Sequence, residues 1–193
     1  MPLPRITELA HYLVGNVLRE GDWAIDATAG NGHDTQFLAS HVGSSGRVDS
    51  FDVQEEAIRS TRERTSGIPQ VNLHALGHEH IQDLVSGPVQ AIMFNLGYLP
   101  SGNKMLITKP ESTLTALESS MRLLDSRGIV TVIVYPAHPG GESEALCVNK
   151  WFASLPPSEF RVWHHGAWPT HTPSALRKDY GTLPPYLLAF VRR

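Results

Sequence analysis

Short apolar runs alternate with segments of helical spacing along most of this chain, and no other feature restricts its fold as much. The apolar runs cover residues 23–27, 47–53, 71–76, 89–95 and 128–135. Helical patterns begin near residues 34, 55, 79, 111 and 142, each after one of these runs. Strands that alternate with helices at this pitch build βαβ units around a parallel sheet. The alternation therefore predicts an α/β fold with helices on both faces of the sheet.

The two ends of the chain complete the predicted sheet. Residues 4–20 carry apolar side chains at helical spacing and predict an amphipathic leading helix. The last strand candidates, 160–165 and 186–191, are separated by a Pro-, Gly- and Thr-rich stretch without helical spacing, which favours an antiparallel pair joined by a long loop. We therefore expect a seven-stranded, mostly parallel sheet with an antiparallel last strand, in one domain over residues 1–193.

Length and charge exclude several classes of protein. A chain of 193 residues with a formal charge of −3 is too short for two domains and lacks the basic excess of a protein that coats nucleic acid. No apolar run approaches the roughly 20 residues that span a bilayer, and the first residues lack the order of a secretion signal. One cysteine, Cys147, fits a reducing compartment. These observations predict a cytoplasmic protein without membrane contact, and its ten histidines require a chemical explanation.

The first strand candidate runs directly into a glycine-containing loop, DATAGNGHDT, that opens a helix. Gly30 and Gly32 allow a ligand to approach the backbone, and the helix N-terminus adds unpaired N–H groups. Thr35 stands where a dinucleotide-binding fingerprint has its third glycine. With Asp26 four positions before Gly30, the pattern D-x-x-x-G-x-G resembles motif I of class I S-adenosyl-L-methionine-dependent methyltransferases. The alternative for a glycine pair alone is a tight turn.

The second strand candidate ends in a carboxylate, Asp52, about twenty residues beyond the glycines. A ribose diol presents two hydroxyl donors, and the two oxygens of Asp52 can accept both. Val53 and Gln54 would then flank an adenine ring, which the junction at residues 77–79 would also border. The acids, the glycines and the βαβ order together favour cofactor binding over a tight turn.

The fourth strand candidate ends in NLGYLPSGNK, residues 95–104. Asn95 and Tyr98 occupy the first and fourth places of a pattern that resembles the (D/N)-P-P-(Y/F) motif of methyltransferases acting on exocyclic amines, although Leu96 and Gly97 replace the prolines. In that motif the Asn side chain and a backbone carbonyl accept hydrogen bonds from the amine, and the aromatic ring stacks on the base. Such acceptors would aim the amine lone pair at a methyl donor. The alternative is a local turn that Tyr98 covers.

The fifth strand candidate ends in YPAHPGGE, also at the carboxyl edge, where open α/β sheets bind ligands. His138 is therefore the candidate proton acceptor, and Tyr135 a candidate wall or second hydrogen-bonding group. The alternative is that Gly140 and Gly141 simply open the next helix, with His138 as a surface cap.

Taken in order, DATAGNGHDTQFLA, FDVQ, GHE, NLGYLPSGNK and YPAHPGG resemble the small YtqB-like family, whose members are labelled rRNA methylases. The resemblance covers nearly the whole chain and implies a Rossmann-like class I methyltransferase fold. It also implies a tRNA partner, bound at its anticodon region, whose wobble 2-thiouridine has its 5-aminomethyl group converted to 5-methylaminomethyl. It assigns S-adenosyl-L-methionine binding to Asp26, Thr28, Gly30, Asn31, Gly32, Asp34, Thr35, Asp52, Gln54, His78 and Glu79. It assigns the acceptor side to Asn95, Gly97, Tyr98 and His138.

The residues that would hold the RNA are less sharply marked by the sequence. Lys104 and Lys109 follow the fourth strand and could touch phosphate, while Trp163 and Trp168 could stack on bases. Positive potential concentrates toward the C-terminal third, on Arg161, His164, His165, Arg177, Lys178, Arg192 and Arg193. Dimerisation is a further hypothesis, because a homodimer would enlarge the contact surface of so short a chain.

Other functions use some of the same residues. The cofactor site would equally serve methylation of another RNA base, such as one in rRNA, or of a small-molecule or protein amine. A binding-only protein would not require the NLGY segment. A metal-dependent hydrolase is suggested by His74, His78, Glu79, His80, His164, His165 and His171. Neighbouring histidines on a strand point to opposite faces, so the sequence predicts no metal site.

Overall fold

The computed structural model describes residues 4–97, 107–138, 140–166 and 184–193. The strands in these residues are β1 (Trp23–Asp26), β2 (Arg47–Phe51), β3 (Val71–His74), β4 (Val89–Asn95), β5 (Leu124–Val134), β6 (Phe160–His165) and β7 (Tyr186–Arg192). They form one seven-stranded sheet in the order β3-β2-β1-β4-β5-β7-β6. Strands β1 to β5 pair in parallel, whereas β7 is antiparallel to both β5 and β6. The predicted mostly parallel α/β sheet with an antiparallel last strand is confirmed.

The helices of the described residues are α1 (Ile6–Gly15), α2 (His33–Val42), α3 (Glu55–Arg64), α4 (Ile81–Leu84), α5 (Pro110–Leu123) and α6 (Gly141–Ser154), with a 3₁₀ turn at His78–His80. Helix α1 ends before the predicted residue 20, because the Asn16 side chain donates to the Tyr12 carbonyl (2.6 Å) and closes the last turn. Leu18 is nevertheless buried, so its apolar spacing imitates a longer helix. None of the described helices is long and apolar enough to cross a membrane.

The core has two parts, one on each face of the sheet. Phe94, Phe152 and Phe190 pack in the part covered by α5 and α6, while Val14 and Leu38 belong to the part covered by α1 and α2. Full burial of one such side chain contributes roughly 1.5–3 kcal/mol to stability. The sheet is therefore packed on both faces.

Strand β1 pairs with β2 on one side and with β4 on the other, so the strand order reverses at β1. Open α/β sheets bind ligands in the crevice at such a reversal, outside the carboxyl ends of the strands. The glycine loop, the second-strand acid and the NLGY segment follow β1, β2 and β4. The topology therefore brings the three predicted motifs to one place.

Candidate functional site

A cavity of about 980 Å³ opens at this edge of the sheet. Its walls come from the loops that follow β1 to β5 and from α1. The predicted site residues that line it are Thr28, Gly30, Asn31, Asp34, Asp52, Val53, Gln54, Gly77, His78, Glu79, Asn95, Gly97, Lys109, Tyr135 and His138. Tyr98 and Lys104 lie outside the described residues. Residues predicted for the cofactor and for the acceptor thus face a common space.

The glycine loop is held in one conformation by its neighbours. Gly30 and Gly32 have φ values of 52° and 78°, which residues with a side chain rarely adopt. A Cβ on Gly32 would lie 2.9 Å from the Thr61 backbone, so α3 packs directly against the loop. The Thr61 hydroxyl donates to the Gly30 carbonyl (3.2 Å), and Arg64 Nε donates to the Asn31 carbonyl (2.6 Å). The first N–H groups of α2 are therefore presented at a rigid edge of the cavity.

Asp26 supports this loop from below. It is fully buried, and its two carboxylate oxygens accept hydrogen bonds from the Thr28 backbone N–H (3.1 Å) and the Thr35 hydroxyl (2.6 Å). Burial and the neighbouring Asp34 charge raise the pKa of the Asp26 carboxyl to about 7. Asp26, Gly32 and Thr35 do not line the cavity, although direct cofactor contact was expected of them. Asp26 and Thr35 are buried and hydrogen-bonded to each other beneath the loop, and the contact of these three residues with the cofactor stays a prediction.

We expect the unfolding free energy of the unmodified protein to fall, relative to that of Asp26→Asn, as the pH rises from about 4 to about 7. The Asp26 pKa is higher in the folded chain than its ordinary value, so its stabilising contribution is complete below that value and is lost as the pH rises through the folded pKa. The loss is on the order of 1 kcal/mol per pH unit within the window. Denaturant unfolding of both proteins across this range measures it, and parallel pH profiles would contradict it.

The second-strand acid, Asp52, faces the cavity and also fastens its edge. One oxygen accepts the Gly30 backbone N–H (3.0 Å) and the other accepts the Gln54 backbone N–H (2.9 Å). Carboxylate oxygens can accept more than one hydrogen bond each, so both remain able to receive ribose hydroxyls. His78 Nδ1 donates to the Ala27 carbonyl (3.1 Å), and burial lowers the pKa of this imidazole. A neutral His78 therefore forms part of the wall.

The acceptor side is built around the end of β4. The Asn95 backbone N–H donates to the Thr28 hydroxyl (2.8 Å), which ties the NLGY segment to the glycine loop. Gly97 has a φ of 133°, and a Cβ on it would lie 3.6 Å from His138 Nε2 and 4.0 Å from Tyr135 Cδ2. Asn95, Gly97, Tyr135 and His138 are therefore gathered at one end of the cavity, as the sequence predicts.

A buried glutamate beneath this end was not found by sequence reasoning. Glu144 is 2% exposed and accepts hydrogen bonds from the hydroxyls of Thr108 and Thr113, each at 2.7 Å. The Thr108 hydroxyl in turn accepts the Gly97 backbone N–H (3.0 Å). Burial raises the pKa of the Glu144 carboxyl, and the threonine hydrogen bonds and the nearby His138 oppose that rise. Glu144 thus anchors the acceptor segment through Thr108.

Helix α1 also reaches the cavity, which the sequence did not indicate. Arg5, Thr7, Glu8 and His11 line it. His11 Nε2 lies 2.6 Å from Asp34 Oδ1 on the first turn of α2. This contact joins residues 23 positions apart in sequence.

The predicted RNA-contact residues do not form one patch. On β6, Arg161, Trp163 and His165 share one face, and His164 points to the other. Arg192 lies over the Phe160 ring and donates to the Met121 carbonyl, so it has a packing role. Trp168, His171, Arg177 and Lys178 lie outside the described residues. Within the described ranges, no three His, Cys, Asp or Glu side chains are placed to hold a metal ion.

Comparison with known proteins gives concordant matches. The family model described as "Putative rRNA methylase" matches residues 48–176. The chloroplastic tRNA (mnm(5)s(2)U34)-methyltransferase of Arabidopsis thaliana is 37% identical over 169 residues, 81% of this chain and 62% of that protein. The chain therefore spans less than two thirds of the length of this curated relative.

Two solved structures match over the full length of both chains. A putative rRNA methylase from Clostridium thermocellum has a TM-score of 0.89 at 34% identity. A putative methyltransferase from Streptococcus mutans, in complex with SAH, has a TM-score of 0.83 at 33% identity. More distant matches, such as an O-methyltransferase from Thermotoga maritima at 19% identity and a TM-score of 0.61, show the fold alone.

Proposed function

The chain belongs to the rRNA methylase family, and from that premise we propose that it is an S-adenosyl-L-methionine-dependent N-methyltransferase acting on the 5-aminomethyl group of wobble 2-thiouridine in tRNA. The observation that carries this proposal is the 37% identity to a tRNA (mnm(5)s(2)U34)-methyltransferase. The family description names rRNA instead, so an rRNA base is the second candidate acceptor.

The cofactor half of the cavity fits S-adenosyl-L-methionine. The backbone of the glycine loop and the N-terminus of α2 offer N–H donors to the methionine end, and Asp52 offers carboxylate oxygens to the ribose hydroxyls. Gln54, His78 and Glu79 line the part expected to hold the adenine. When bound, the cofactor supplies a methyl group that its sulfonium already activates.

The chain's own contribution is to align the amine and keep it neutral. The Asn95 side-chain oxygen would accept a hydrogen bond from the amine, which directs the nitrogen lone pair toward the methyl group. Gly97 lies close to Tyr135 and His138, and Glu144 holds this segment through Thr108. An aliphatic aminomethyl group is largely protonated near neutral pH, so a base must also remove a proton.

The experiment that tests this proposal offers several acceptors to one enzyme preparation. The protein is incubated with isotopically labelled S-adenosyl-L-methionine and either tRNA from cells that lack the terminal methylation, rRNA, or free small-molecule amines. Nucleoside mass spectrometry is expected to show labelled 5-methylaminomethyl-2-thiouridine only with the tRNA. Label in rRNA would move the assignment to the second candidate, and label in neither RNA would overturn both.

A further inference from the structure

We propose that His11, oriented by Asp34, is the base that removes the proton from the substrate ammonium group. This inference rests on the proposed function, because an ammonium acceptor is what creates the need for a base. The sequence predicted His138 as the proton acceptor.

The geometry of the pair is that of an oriented histidine. His11 Nε2 and Asp34 Oδ1 are 2.6 Å apart, and the imidazole stacks on the Phe37 ring at 3.9 Å with an interplanar angle of 2°. A carboxylate can only accept, so Nε2 carries the hydrogen, and the lone pair of the neutral ring lies on Nδ1. One contact selects the tautomer and the other fixes the ring plane. His11 is therefore prepared to accept a proton at Nδ1.

The pair shares the cavity with the acceptor residues. Both His11 and Asp34 line it. Burial is the larger cause that raises the pKa of the Tyr135 hydroxyl, and the Asp34 charge is the second. Tyr135 in turn flanks Gly97. The Asp34 charge thus acts on the end of the cavity where the amine is expected.

Both imidazoles are half-buried, and the setting of their ring nitrogens distinguishes His11 from His138. The His11 side chain is 28% exposed, so a proton taken from the substrate can pass on to water. His138 Nε2 is buried, and its ring packs close to Gly97 and Gly141. A ring packed in this way suits a wall of the acceptor site better than repeated proton exchange.

The ammonium N–H bond breaks and its proton moves to His11 Nδ1, which leaves the electron pair on nitrogen and forms an imidazolium opposite the Asp34 carboxylate. The amine then forms a bond to the methyl carbon, while the electrons of the former C–S bond return to sulfur. The product leaves as a secondary ammonium, and His11 releases its proton to solvent.

The charged and titratable groups around His11 come from three elements. Arg5 and Glu8 stand one turn before His11, and the hydrogen bonds from Arg5 are the main cause that lowers the pKa of the Glu8 carboxyl. Helix α2 contributes Asp34 and, on the far side of Phe37, His41. Tyr135 stands at the end of β5, beyond Asp34. The pH dependence of the reaction is therefore expected to reflect the protonation of His11 beside Asp34 and these neighbouring groups.

The test compares His11→Gln with His41→Gln. Glutamine can still donate to Asp34 but cannot take a proton, and His41 packs against the same Phe37 without lining the cavity. With an anticodon stem-loop carrying 5-aminomethyl-2-thiouridine, we expect His11→Gln to lower the single-turnover rate on the order of 10²-fold near neutral pH. The deficit should shrink as the pH rises, because the free amine becomes abundant. His41→Gln should match the unmodified protein.

A second readout does not depend on turnover or on the variant. In protein labelled with ¹⁵N-histidine and saturated with sinefungin, which has no transferable methyl group, we expect the His11 ring signals to move toward imidazolium positions with the aminomethyl RNA and not with unmodified uridine RNA. Unchanged signals, or a His11→Gln deficit equal at every pH, would overturn the role of His11. An inactive unmodified protein would instead overturn the proposed function and this inference with it.

Discussion

Replacing Asn95 with alanine is expected to lower the methylation rate on the order of 10²- to 10³-fold, because the amine loses the acceptor that directs its lone pair. Affinity for SAH should be unchanged. The backbone of Asn95 remains tied to the Thr28 hydroxyl by its own N–H (2.8 Å), so the segment should keep its place without the side chain. Single-turnover kinetics and calorimetric titration with SAH measure the two quantities separately.

The matched control for this change is Asn72→Ala, an exposed asparagine on β3 outside the cavity lining. It should alter neither the methylation rate nor the affinity for SAH. If Asn95→Ala lost SAH affinity together with activity, Asn95 would be a structural residue and not an acceptor for the amine.

Replacing Asp52 with alanine is expected to weaken SAH binding on the order of 10²-fold, since two hydrogen bonds from ribose to a charged acceptor would be lost. The change also leaves the Gly30 and Gln54 backbone N–H groups without their acceptor, which loosens the edge of the cavity. Calorimetric titration with SAH measures the loss. Asp52→Asn keeps one acceptor oxygen, so its SAH affinity should lie between that of Asp52→Ala and that of the unmodified protein.

Asp125→Ala provides the comparison for Asp52. Asp125 likewise accepts a backbone N–H, from Ser126 (2.7 Å), and a side-chain amide, from Gln90 (3.1 Å), but it lies outside the cavity lining. SAH affinity should be retained in this variant. Equal losses in both variants would mean that the effect is one of general stability and not of ribose recognition.

The sequence predicted best what short-range patterns control. The glycine loop, the acid that follows β2 and the NLGY segment are each local motifs attached to strand ends, and a parallel sheet brings strand ends together by topology alone. Fifteen of the predicted residues line one cavity, most of them for that reason. The same rule could not distinguish Asp52, on the cavity wall, from Asp26, whose carboxylate turns inward to Thr35.

The residues that were missed depend on contacts between distant parts of the chain. Glu144 stands near the start of a helix, where an acid ordinarily faces water, and only the packing of α6 against α5 makes it a buried acceptor for Thr108 and Thr113. His11 belongs to an amphipathic helix whose pattern gives no hint of Asp34. Neither contact leaves a periodic or spaced signal in the sequence.

The position of β7 has a consequence for the order in which the protein is made. Residues 186–192 are synthesised after β5 and β6, yet they lie between them, and β6 pairs with no other described strand. Until this segment leaves the ribosome, β5 has an unpaired edge and β6 has no partner. Pairing between segments so far apart in sequence is slow, so strands β5, β7 and β6 are the part of the sheet most exposed to misassembly in a nascent chain. Chaperone demand during synthesis is therefore expected to fall on this part, whereas strands β1 to β4 pair with one another without β7.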